Sequence, residues 1–165
     1  MLSVVPIQPV IPQAGDILIV HGTSIPDWFI RFATSSRDTH SVLVVDQSTG
    51  IEAQAGRNVG YVDLRNYKGR STLYRLRGVT PEECEKAIDA AHQWFGQPYG
   101  WEAIGFDAMR FVFHLPVIRH IAYYRDCSML DNDAWAKAGH PISYAPYPAP
   151  SDLAWSGAMV RIGNY

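Results

Sequence analysis

Hydrophobic and polar positions along the chain change their period near residue 78, and the change separates two kinds of structure. Before it, apolar residues come in short runs or alternate with polar ones, as in strands. After it they recur every three or four residues, as in helices. Ile17 to Val20 is a β-branched run behind the turn pair Gly15-Asp16 and predicts a strand. His40 to Asp46 is nearly continuous in apolar residues, which predicts a strand buried on both faces. Gln47 to Gly50 reads as a turn and Ile51 to Ala55 as the returning strand of a hairpin. Asn58 to Leu64 predicts a further strand, turning at Asn66 to Gly69, and Thr72 to Arg77 alternates as another.

At Thr80 the helical signals begin. Thr80 and Glu83 form a capping box, and Pro81 stands at the first helical position. Cys84, Ala87, Ile88, Ala91, Trp94 and Phe95 make one apolar stripe, and Gly96 is placed to end the helix. Cys84 is therefore read as a structural residue. Shorter helices are predicted over Asp27 to Ala33, behind Ser24 and Pro26, and over Trp101 to Phe113. Asp126 caps a last main helix that starts at Cys127 and ends at Gly139. Met1 to Ala14 reads as an extended arm, and Ile142 to Pro150 as irregular. Ser151 to Leu153 reads as a turn of helix, and Ala158 to Ile162 as a closing strand. Strands followed by helices predict an α+β fold, with an antiparallel sheet or small barrel packed against helices, in a single domain over 1–165.

Composition narrows the class. With 165 residues, 47% hydrophobic and 18% charged, the chain has the means for one self-sufficient core and is not a disordered one. A net charge of −2 and the lack of a basic block give no drive toward nucleic acid or an anionic membrane. Two cysteines are too few for a disulfide scaffold or a thiolate zinc site, although one bond between Cys84 and Cys127 stays open. No metal or cofactor is expected. Residues 1–13 lack a basic residue and are broken by Pro6, Pro9 and Pro12, and charges interrupt Ile104 to Tyr124, so neither predicts a signal or a transmembrane span. The default compartment is the cytoplasm, with lysis or a carrier particle as the exit for a wall-acting enzyme.

The candidate chemistry centres on Cys127. A thiol in the first turn of a helix meets the positive end of its dipole, which favours the nucleophilic thiolate. The other reading is a small apolar core residue. A histidine base and an orienting acid elsewhere would separate the two. His40 stands at the start of the buried strand and Glu52 in the next. They share a face if the hairpin pairs residues whose numbers add to an even value, and a one-residue slip would part them. His21, Tyr124, Asp126 and Ser128 are candidates for the walls of a substrate cleft.

These residues sit in short motifs. Gly15-Asp16-Ile17-Leu18, Thr39-His40-Ser41-Val42, Ile51-Glu52-Ala53, Gly96-Gln97-Pro98-Tyr99 and Asp126-Cys127-Ser128-Met129-Leu130 follow one another in that order. Together, over about residues 14 to 140, they resemble the circularly permuted branch of the NlpC/P60 papain-like superfamily. There the histidine and acid strands precede the cysteine helix. The resemblance implies a catalytic Cys127, a general base His40 and an orienting Glu52, acting through an acyl-enzyme on a peptide or acyl substrate. Cleavage of an amide in a peptidoglycan-type peptide is the activity it implies first. Acyl transfer or thioester hydrolysis is the second, with Trp101 to Tyr124 as a lipid-accommodating wall. A papain-like binding domain without activity is the third. The family usually has an aromatic residue directly before the cysteine and an acid two residues after it. Here those positions hold Asp126 and Met129. A negative charge at Asp126 would oppose thiolate formation unless that residue serves mainly as the helix cap.

Overall fold

In the computed structural model the described residues are 10–22, 36–54, 56–99 and 126–165. Their strands are β1 (Ile17–His21), β2 (Asp38–Val44), β3 (Thr49–Glu52), β4 (Gly60–Asp63), β5 (Ser71–Leu76) and β6 (Met159–Asn164). The helices are α1 (Pro81–His92), α2 (Cys127–Lys137) and α3 (Pro150–Ala154), with a 3-10 turn over Leu64–Tyr67. The fold is α+β. All strand pairs are antiparallel, in the order β4-β3-β2-β1-β5-β6. Five strands precede the Cys127 helix, and β6 follows it to close the sheet edge beside β5.

The continuous apolar runs of β1 and β2 are explained by burial on both sides. Ile17, Ile19, Leu43 and Ile51 join Ala87, Ala91, Leu130, Ala134 and Trp135 in the core between sheet and helices. Their neighbours Leu18, Val20, Val42 and Val44 form a second cluster with Val62, Leu64, Tyr67 and Leu73. Two glycines allow close packing. Gly15 has φ 84°, and a Cβ there would meet Cys84 Sγ at 2.7 Å and the Trp135 ring at 2.9 Å. A Cβ at Gly50 would run into Val42 and Leu64.

Element ends differ from the sequence reading by a few residues. β3 starts at Thr49, inside the expected turn, because Asp46 Oδ1 accepts from Ser48 and Thr49 N–H and tightens the hairpin. β4 is shortened by the 3-10 turn, which Asp63 caps. Trp94 and Phe95 lie beyond the end of α1 but still pack on the core. The capping box of α1 is present as expected. Cys84 and Cys127 are both free thiols. Cys84 lies half-buried beside Gly15. The expected helices over Asp27 to Ala33 and Trp101 to Phe113, and most of the Met1 to Ala14 arm, lie outside the described residues.

Candidate active site

The β2–β3 hairpin decides where His40 and Glu52 stand. Leu43 pairs with Ile51 and Val44 with Gly50, so partners add to an even number. Extending that register puts Glu52 opposite Val42, on the side of the sheet that alternation also gives His40. His40 Nε2 lies 2.8 Å from Glu52 Oε2. Glu52 has a second donor that sequence reasoning missed. Tyr67, at the end of the 3-10 turn, donates its hydroxyl to Glu52 Oε2 at 2.5 Å and sets its ring beside His40. The guanidinium of Arg57 approaches Glu52 Oε1 at 3.7 Å. The sequence placed Tyr67 inside a turn, and nothing local pointed it at Glu52.

Cys127 begins α2 and is buried. Its sulfur lies within hydrogen-bond reach of His40. Since Glu52 engages Nε2, Nδ1 is the ring nitrogen left for the sulfur. Burial pushes His40 down, but the sulfur and Glu52 together carry it up to about 10. Burial also pushes Glu52 up, and His40, Tyr67 and Arg57 together hold it below its ordinary value.

Asp126 serves as the helix cap. Its Oδ1 accepts from Met129 N–H at 2.7 Å and from the Ser128 hydroxyl at 3.1 Å. Burial carries its carboxyl up to about 6 against those bonds. Asp126 and Ser128 are both buried and bonded to each other, which is a capping arrangement and not the open cleft wall expected of them. Tyr124 lies outside the described residues.

His21 is placed elsewhere, which corrects the expectation that it lines the same cleft. A bulge follows Val20, whose partner is His40, and His21 pairs instead with Asp38. His21 therefore points to the opposite side from Val20. Its Nδ1 meets Asp38 Oδ1 and its Nε2 meets Thr72 Oγ1, each at 3.0 Å. It lines an open cavity of about 990 Å³ with Tyr74, Trp155 and Arg161, apart from His40.

A second group missed by the sequence reading is Asp131. It is fully buried one turn after Cys127, and burial carries its carboxyl up to about 8. Its position four residues after the cysteine was a signal available from helical spacing.

No protein-family model and no curated protein matches the chain. Among solved structures it is similar to the metalloprotein yiiX from Escherichia coli O157:H7, described as DUF1105. The TM-score is 0.68 at 16% identity, over 93% of this chain and 98% of that one. That likeness is one of fold. The neighbour's description as a metalloprotein stays with the neighbour, and among the described residues no group of three or more His, Cys, Asp or Glu side chains is arranged to hold a metal ion. No helix among them is long and apolar enough to cross a membrane.

Proposed function

We propose that this protein is a cysteine-dependent hydrolase of amide bonds, built as a permuted papain-like domain. The observation that carries the proposal is His40 held between the Cys127 sulfur and the Glu52 carboxylate. His40 Nδ1 takes the thiol proton, and the sulfur attacks the substrate carbonyl. The α2 N-terminus, with the Cys127 N–H, faces the oxyanion that forms. His40 then returns the proton to the leaving amine, and water releases the acyl group from sulfur with His40 again as base. Glu52 and Tyr67 keep the ring in the tautomer and orientation this needs. A peptidoglycan-type stem peptide is the substrate class of the reading.

The test offers a fluorogenic stem-peptide amide and an acyl thioester to the wild type, Cys127→Ala and His40→Ala. Cys127-dependent release of the amine supports the proposal. Turnover of the thioester alone would move the reading to a thioesterase. Cleavage by Cys127→Ala at the wild-type rate, or Cys127 alkylation no faster than that of a free thiol and unaffected by His40→Ala, would overturn it.

A further inference from the structure

Elements α2 and β2 each carry buried polar atoms that the proposed reaction does not use. Asp131 is 0% exposed, and neither carboxyl oxygen makes a hydrogen bond of acceptable geometry. Ser41 Oγ, one residue after His40, is likewise buried and is near enough to hold that carboxyl down by hydrogen bonding, against the larger effect of burial, although the contact falls short of good hydrogen-bond geometry and Ser41 Oγ has no other partner. Thr39 Oγ1, in the same strand, and Trp135 Nε1, one turn further along α2, are also buried without a hydrogen-bond partner. A buried carboxylate without hydrogen bonds is costly, whereas a neutral carboxyl brings a donor of its own. The helix carrying the nucleophile and the strand carrying the base therefore meet at an acid beside a hydroxyl, both short of partners.

We propose that Asp131 is a positioning residue that works as an uncharged acid: its protonated carboxyl ties α2 to β2 through Ser41, and its ionisation weakens the Cys127–His40 pair. The inference rests on the hydrolase reading above. The charged groups acting on Asp131 are His40 from β2, Glu52 from β3 and Asp126 at the start of α2. Of the other helices, α1 contributes Cys84, which packs at Gly15, and α3 contributes Asp152, whose carboxylate accepts from Ala149 N–H. Two of the three acting groups are acids, so a charge on Asp131 has only His40 to balance it. That charge favours the proton on His40, which supports the pair, and opposes a negative sulfur one turn away, which weakens it; on the proposal, the second effect outweighs the first.

The test uses full-length protein carrying Cys84→Ser, so that Cys127 is the single thiol. Two readouts are taken. The first is the infrared difference between this protein and its Asp131→Asn variant. The proposal expects a protonated-carboxyl band at neutral pH that fades as pH rises through about 8. The second is the pH profile of Cys127 alkylation by iodoacetamide. Labelling should match in the two proteins well below that pH and fall about tenfold behind Asp131→Asn above it, the size expected from one like charge nearby. Asn keeps a donor for Ser41, so this variant preserves the tie and removes only the titration. Ser41→Ala should slow labelling at all pH values while leaving the band. Absence of the band at neutral pH, or coincident profiles, overturns the proposal. His40→Ala separates the two ideas. If it leaves labelling unchanged the hydrolase reading falls, while the infrared band still reports on Asp131.

Discussion

His40 and His21 are two versions of one arrangement on opposite sides of the same sheet. Each has a carboxylate on one ring nitrogen, Glu52 at 2.8 Å and Asp38 at 3.0 Å. The other nitrogen differs. At His40 it is left for the Cys127 sulfur, and at His21 it meets the Thr72 hydroxyl. The surroundings differ too. The side chains of His40 and Glu52 are 13% and 4% exposed, against 38% and 14% for His21 and Asp38. A thiol gives up its proton within the range a histidine can reach, and a threonine hydroxyl does not unless further activated. The acid–histidine pair alone therefore does not mark a reaction site. On the proposed reading, the group on the far nitrogen and the exclusion of water distinguish the two.

The sharpest break of this comparison is at the far nitrogen. Cys127→Ala should lower amide turnover by ~10³-fold or more. Thr72→Ala should leave turnover unchanged and cost ~1 kcal/mol of stability from lost hydrogen bonds. Steady-state kinetics and urea melts on both variants check this, and a rate loss in Thr72→Ala would make the His21 side the reaction site.

Next come the acids. Glu52→Gln should cost on the order of 10²–10⁴-fold in turnover through loss of ring orientation, while Asp38→Asn leaves the rate intact. Removing the partner outright, as in Glu52→Ala, should destabilise by about 3–5 kcal/mol, because His40 and the Tyr67 hydroxyl are left buried without it.

The pH dependence of stability follows from His40 with its two partners, the Cys127 sulfur first and Glu52 second. His40 is raised from 6.5 to about 10, so its contribution is complete below 6.5 and is lost as pH rises through about 10. Glu52 is lowered from 4.5, so its contribution is present above 4.5 and is lost as pH falls below it. The stability difference between wild type and Glu52→Gln should therefore peak between 4.5 and 6.5 and shrink on both sides. Denaturant melts across pH measure it, and a flat difference would show that the pair is not coupled.

Smaller effects sharpen the picture. Tyr67→Phe should cost about 1.5 kcal/mol and lower turnover less than Glu52→Gln does, since His40 still holds the carboxylate. Smallest is Asp126→Asn, at a few tenths of a kcal/mol, because Asn also caps helices. Asp126→Ala should cost ~1 kcal/mol. Thermal melts rank all three, and a larger cost for Asn than for Ala would mean that Asp126 does more than cap.

The sequence by itself determined what depends on near neighbours in the chain. The runs of β1 and β2, the Thr80–Glu83 capping box, the start of α2 at Cys127 and the β2–β3 hairpin were all readable. Each is set by side-chain period or by a cap within a few residues. The sequence also named His40, Glu52 and Cys127 as one group through their resemblance to a family, but it left their proximity to an undecided register. The tertiary structure decided the rest. Register places His40 and Glu52 on one face, and a bulge after Val20 pairs His21 with Asp38. The docking of α2 on β2 buries Asp131 beside Ser41, and the 3-10 turn delivers Tyr67 to Glu52. Those contacts join residues far apart in sequence. Whether they form depends on one-residue shifts in pairing and on how a helix seats against a sheet, and local propensity carries no record of either.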